Sequence, residues 1–253
     1  MMIANYDKIL LDVSGTLYCS KKIPLEGANE FIEKYFDKII IFSNIGSKTG
    51  SELKEDLHTI FNVPIPKVIT SLDLLLQFIE KKSYNKVFHY GNENVIKKIQ
   101  PFVKKIVVDD YENNIDAIIF TSLINNRWIG NTEAALNIIM KTDADILLGN
   151  PDRISPEPPY NFTVTLILDS LLNLSKTIGN EKTAKEFGKP YLSKEMIHID
   201  KNKKLVTIGD NPWTDIKQGN KFECDSILLS SQAKTYKGDI APTFTVTSLK
   251  ALL

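Results

Sequence analysis

A chain of 253 residues, 43% of them hydrophobic, can bury one large core or two modest ones. Lys+Arg and Asp+Glu both number 31, so no net charge points to nucleic acid or to an anionic membrane surface. No apolar stretch approaches the roughly 20 residues of a membrane span, the first residues lack the basic-then-apolar order of a secretion signal, and Cys19 and Cys224 are too few for a disulfide framework or a metal knuckle. The expectation is a cytoplasmic protein.

The first element is the short apolar run Lys8-Ile9-Leu10-Leu11, which stops at Asp12 and is followed by Ser14, Gly15 and Thr16. Such a run, bounded by a turn signal, reads as a buried strand of a parallel sheet. Ligands of open α/β sheets sit beyond the carboxyl ends of the strands, where Asp12 would project. Gly15 lets backbone approach a ligand and leaves an N–H to face an anion. Asp12 could be a nucleophile, a Mg²⁺ ligand or a helix cap; taken alone, the cap is the commonest role.

Ala28, Phe31, Ile32 and Tyr35 then recur at helical spacing, and Lys38 to Phe42 is a second buried strand, leaving through Ser43-Asn44. A helix over 51–61 carries Leu53, Leu57 and Ile60 on one face and ends before Pro64. Ser71 is placed to cap a helix running to Lys82. Strand patterns follow at 86–90, 106–108, 117–120 and 145–148, with helices at 94–102 and 131–140 between them. The last of these strands runs into Gly149-Asn150-Pro151-Asp152; a Pro-rich turn at 155–159 and a Leu-rich helix over 164–174 come next. The third part holds Gly188-Lys189-Pro190, a strand over 204–208 ending in Gly209-Asp210, a short helix over 216–221, and strands at 226–229 and 244–246.

Three buried strands thus end in Asp12, Ser43 and Asp210, and Lys189 precedes a proline. Phosphoryl transfer is the chemistry this set fits. A carboxylate nucleophile splits one hard displacement into two easier ones. Lysine, hydroxyl and backbone N–H groups cradle the negative phosphoryl group. Mg²⁺ takes oxygen ligands, which Asp12 and Asp210 supply, with Asp215 supporting the metal site. Taken singly the parts are bland: Asp210 suits a turn, Asp215 a helix cap, Lys189 the surface, Ser43 a strand end. His58, His89 and His198 fall in no site pattern.

The chain resembles the haloacid dehalogenase (HAD) superfamily of phosphatases, in the branch of NagD-like and 4-nitrophenylphosphatase-like enzymes. The matching stretches are Asp12-Val13-Ser14-Gly15-Thr16, Ser43-Asn44, Gly188-Lys189-Pro190, and Gly209-Asp210 with Thr214-Asp215; Asn150-Pro151-Asp152 matches in the middle block. The resemblance implies a Rossmann-like α/β core with a parallel sheet, formed by residues 1–84 and 185–253, and an inserted α/β cap domain over 85–184. It assigns Asp12 as nucleophile, Ser43 and Lys189 as phosphate holders, and Gly15 and Asn44 as N–H donors. Mg²⁺ would be bound by Asp12, Asp210 and the carbonyl of Ser14, with Asp215 in support. Asn150 and Asp152 would face a small phosphorylated substrate or merely shape a turn. A homodimer through the cap is compatible with this reading.

One position departs from the family. A second aspartate usually stands where this chain has Ser14, and it protonates the leaving group and later activates water. A serine hydroxyl does neither well, where such help contributes ~10²–10⁴-fold. A similar Asp-x-Ser-Gly start belongs to the phospholysine/phosphohistidine inorganic pyrophosphate phosphatases, so phosphoramidates and pyrophosphate join the expected substrates. The rival reading is a non-catalytic protein that binds a phospholigand or a partner.

Overall fold

The computed structural model describes residues 3–19, 21–109, 111–123, 128–153, 163–230 and 240–253, with no side chains described before 131 in the fourth of these stretches. The Pro-rich turn expected at 155–159 lies outside them.

In chain order the elements begin with β1 (Lys8–Leu11), α1 (Ala28–Lys34), β2 (Ile39–Ser43), α2 (Gly50–Phe61), β3 (Lys67–Thr70) and α3 (Ser71–Lys82). There follow β4 (Lys86–Tyr90), α4 (Glu93–Ile99), β5 (Lys105–Val107), β6 (Ala117–Phe120), α5 (Trp128–Lys141), β7 (Asp145–Leu148), α6 (Val164–Thr177) and β8 (Lys185–Glu186). The chain closes with β9 (Leu205–Gly209), a π-helical turn Pro212–Ile216, α7 (Lys217–Lys221), β10 (Asp225–Leu229) and β11 (Phe244–Val246). No helix among the described residues is long and apolar enough to cross a membrane.

The fold is α/β with parallel sheets, and the chain divides into two compact units. One comprises Met1–Ser43, Thr49–Thr70 and Lys189–Leu253; the other Asn44–Lys48 and Ser71–Gly188. The first holds a six-stranded parallel sheet in the order β11-β10-β9-β1-β2-β3. Its central strands are apolar at nearly every position: Ile9, Leu11, Ile41, Phe42, Val206 and Ile208 are all fully buried. Continuous apolar strands of this kind belong to sheets covered on both faces, and each such side chain contributes about 1.5–3 kcal/mol by leaving water. At the start of α2 the Thr49 hydroxyl accepts from the Glu52 N–H, and the Glu52 carboxylate accepts from the Thr49 N–H at 2.7 Å, a reciprocal cap.

The second unit has a five-stranded parallel sheet, β5-β4-β6-β7-β8. Phe88, Ile118, Phe120 and Leu148 from its strands join Ala135 and Ile138 of α5 and Leu168 of α6 in one core. A cavity of about 930 Å³ opens at the amino ends of β4, β6 and β7, where Tyr84, Asp116 and Asp145 line it. The Tyr84 hydroxyl donates to Asp145 at 2.5 Å, and the N–H groups of Asn85 and Lys86 donate to Asp116, so these carboxylates serve the fold.

Two strands escape the sequence reading. β3 and β8 are four- and two-residue edge strands, too short to show a period, and no element is expected above at either place. Ser71, expected as a cap, is the first residue of α3. The divisions expected after residues 84 and 184 also differ from the observed units: α3 and β8 belong with the second one. The cause is apolar packing within that unit. Leu74, Leu75 and Ile79 of α3 are buried, Phe78 meets Phe187 at 5.2 Å between ring centroids, and β8 completes the second sheet beside β7.

His89, on β4, is 2% exposed and bonded to the Thr121 hydroxyl at 2.9 Å. Burial pushes its ring down to about 4 from the ordinary 6.5. The folded chain holds the ring neutral while the unfolded chain protonates it. This contribution to stability is therefore whole above pH 6.5 and is lost as pH falls towards 4. Urea titrations across that range will show the wild type losing more stability than His89→Gln. In the first unit, Leu11→Ala will cost about 2–5 kcal/mol in the same assay, with no rescue by pH.

Candidate active site

The order of the first sheet decides where its chemistry lies. From β1 the chain proceeds to β2 and β3 on one side, and it later fills the other side with β9, β10 and β11. A reversal of this kind opens a crevice beyond the carboxyl ends of the two strands at the switch. Leu11 is in register with Ile208, and the Asp12 N–H donates to the Ile208 carbonyl at 3.0 Å. Asp12 and Asp210 therefore leave neighbouring strands at nearly the same level, and Ser43 ends β2 on the other side of β1.

Lys189 enters this place from 177 residues away along the chain. Its Nζ donates to Asp12 Oδ1 at 2.6 Å, to Asp215 Oδ1 at 2.6 Å and to the Phe42 carbonyl at 3.2 Å. The side chain is 4% exposed. Burial by itself would lower its pKa; the two carboxylates reverse that and hold the ammonium above the usual lysine range. Burial pushes the Asp215 carboxyl up to about 7, against the pull of Lys189 and helped by the negative charge of Asp12. The second Asp215 oxygen accepts the Asn211 N–H at 3.1 Å.

Asp12, Asp210 and Asp215 each offer a carboxylate oxygen within 4.8 Å of the others. Three acids against the one ammonium leave an excess of negative charge in a largely buried place, and oxygen donors so grouped suit a hard divalent cation. The residues thus fit a metal ion.

Two glycines make the grouping possible. A Cβ at Gly15, whose φ is +81°, would lie 2.3 Å from Asp210 Oδ2; one at Gly209 would lie 2.0 Å from Asp215 Oδ2. Gly15 was expected to present its N–H to an anion, but that N–H donates to the Tyr18 carbonyl at 2.8 Å. The tight turn 15–18 consumes it, and the glycine is required by backbone angle and by the approach of Asp210. Thr16 was not singled out above, yet its buried hydroxyl donates to Asp12 Oδ2 at 3.2 Å and fixes the carboxylate from the side opposite Lys189. Its signal in sequence is only a hydroxyl four residues after the acid. Ser14 is exposed. Trp213, in the turn after Asp210, is 39% exposed.

The structure gathers the remaining expected residues within the second unit. Asn44 is 7% exposed and donates through Nδ2 to Asp152 Oδ1 at 2.8 Å. The Asn150 side chain accepts the Asp152 N–H at 3.2 Å and reaches the Ser122 hydroxyl at 3.3 Å, which is a turn-forming use of an asparagine.

A buried lysine between two acids, a third acid beside them, and a position at the switch point of a parallel sheet define a metal-assisted hydrolase or transferase site. Residues 9–101 match a family model described as haloacid dehalogenase-like hydrolase, and residues 186–252 match a second described as HAD-hydrolase-like. The chain belongs to the haloacid dehalogenase superfamily of hydrolases. Its fold is shared with NagD from E. coli K-12, at 18% identity and a TM-score of 0.78 over 98% of each chain. It is also shared with p-nitrophenyl phosphatase from Archaeoglobus fulgidus, at 20% identity and a TM-score of 0.73 over 97% of each chain. The glycerol phosphate phosphatase of Mycobacterium tuberculosis, solved in complex with magnesium, aligns at 18% identity with a TM-score of 0.79, over 98% of this chain and 76% of the other. No curated protein matches the chain.

The added methyl of Gly15→Ala would displace Asp210. Mg²⁺ will raise the thermal unfolding midpoint of the wild type and leave that variant unmoved.

Proposed function

We propose that this protein is a Mg²⁺-dependent phosphatase that hydrolyses small phosphorylated molecules through an aspartyl phosphate on Asp12. The observation that carries the reading is the Lys189 ammonium 2.6 Å from both Asp12 and Asp215, with Asp210 in the same acidic group. Family membership, and structural neighbours that include a phosphatase solved with magnesium, support the same reading.

Each residue then has a task. An oxygen of the Asp12 carboxylate forms a bond to phosphorus while the bond from phosphorus to the leaving atom breaks. Water then attacks the phosphorus, inorganic phosphate leaves, and Asp12 is regenerated. Thr16 and Lys189 hold the two Asp12 oxygens in place before attack, and the ammonium offsets charge on the transferred group. Asp215 keeps that ammonium buried and aimed. The Ser43 hydroxyl and the Asn44 N–H hold phosphate oxygens. Asp12, Asp210 and the Ser14 carbonyl would hold Mg²⁺, which supplies positive charge to draw the phosphate in and to weaken the bond to the leaving group. A protein of this kind, with two thiols that form no disulfide, suits a reducing compartment such as the cytoplasm.

Ser14 narrows the substrate. An exposed hydroxyl provides no general acid for a poor leaving group, so phosphoramidates and pyrophosphate suit the site better than alkyl phosphates.

The test is hydrolysis of p-nitrophenyl phosphate, phospholysine and pyrophosphate with Mg²⁺ and with EDTA. Mg²⁺-dependent release of phosphate is expected; a chain that binds these phosphorylated compounds and releases no phosphate from them would be a binding protein instead. Asp12→Asn will abolish turnover with the fold retained. Ser14→Asp will accelerate alkyl phosphate hydrolysis, by ~10²–10⁴-fold if the carboxyl reaches the leaving group.

A further inference from the structure

We infer that Asp152 is a positioning residue: it holds the side chain of Asn44, and with it the turn directly after Ser43, and it does so without touching substrate. The effect on turnover rests on the phosphatase reading; the hold on the turn does not.

Three of the contacts that hold the turn Asn44–Lys48 lie within the second unit. Asn44 Nδ2 donates to Asp152 Oδ1 at 2.8 Å, a hydrogen bond strengthened by the acceptor's charge. Gly46 lies against the loop before Asp152: a Cβ there would be 2.5 Å from the Gly149 carbonyl and 3.1 Å from Asn150 Cβ. The Ser47 carbonyl accepts from Lys98 Nζ at 3.2 Å. Of these three, the first acts on a side chain one residue beyond Ser43.

Asp152 is itself held firmly enough to serve. Its N–H donates to Asn150 Oδ1 at 3.2 Å, and the Asn150 carbonyl accepts from the Thr165 hydroxyl of α6 at 2.6 Å. The seat is also tightly packed. A Cβ at Gly188, whose φ is +136°, would lie 2.5 Å from Ser71 Oγ, 2.6 Å from Asn44 Oδ1 and 2.9 Å from Pro151 Cγ. Asn44, Ser71 and Gly188 are three of the four residues at which the second unit begins or ends along the chain. One cluster therefore fixes three chain passages, and Asp152 contributes its charged acceptor. A proposed phosphate donor sits on one of those passages, and displacement by about 1 Å is enough to cost ~10²-fold in rate.

The experiment is a double-mutant cycle on the full chain with Asp152→Ala, Asn44→Ala and both together, plus Asp152→Asn, which keeps the acceptor oxygen. Steady-state kinetics with p-nitrophenyl phosphate, competition by inorganic phosphate, and amide hydrogen exchange over residues 44–48 are measured. Asp152→Ala is expected to raise KM and the inhibition constant for phosphate by about 10- to 100-fold, the loss of one charged hydrogen bond. It should also speed exchange over the turn, while having little further effect in the Asn44→Ala background. Asp152→Asn should restore most of the binding. Equal losses in both backgrounds, or an Asp152→Asn variant as weak as Asp152→Ala, would overturn the inference in favour of direct contact with substrate. If the wild type neither binds phosphate nor turns over substrate, the phosphatase reading fails, and hydrogen exchange alone decides: unchanged protection of the turn in Asp152→Ala refutes the hold, faster exchange sustains it.

Discussion

One buried ammonium organises the first unit. Lys189 is almost wholly buried, and it is tolerable there because Asp12 and Asp215 each stand 2.6 Å from it. The dependence is mutual, since removing one member of a buried ion pair leaves an uncompensated charge at a cost of about 3–5 kcal/mol. Such an arrangement is no gift to stability. It stores charge in a fixed geometry, which is what a site needs when charge must move during reaction.

The geometry follows from the sheet. Parallel strands side by side send their carboxyl ends the same way, so acids placed immediately after β1 and β9 emerge together. Glycines at 15 and 209 then let the carboxylates of Asp210 and Asp215 lie directly over backbone, where any side chain would collide. The same device recurs in the second unit, where Gly46, Gly149 and Gly188 allow the loop 149–152 and the turn after β2 to pack closely. Both units use close backbone approach to fix polar side chains, but to different ends: one concentrates negative charge, the other fastens the chain.

Much of this was legible in the residues. Apolar runs that stop at an acid or a small polar residue announced β1, β2 and β9, and their ends announced Asp12, Ser43 and Asp210. The pattern needed only the pleat of a parallel strand and the rule that ligands lie beyond its carboxyl end. Less legible was anything set by packing. The helix α3 has an amphipathic face that reads equally well against either sheet, and only Leu75 and Phe78 seated in the second unit assign it. The N–H of Gly15 looked available and is taken by Tyr18, because the tightness of a turn is not written in its composition.

By itself, then, the sequence determined the α/β class, the succession of most strands along the chain, and which acids stand at strand ends, because strand periodicity and turn chemistry are local properties. Tertiary structure decided the partners. That Lys189 meets Asp12 across 177 residues, that Thr16 braces the same carboxylate, and that Asp152 grips Asn44 across 108 residues are consequences of sheet order and core packing. No local pattern encodes such distances, since they arise only when strands far apart in the chain are laid side by side.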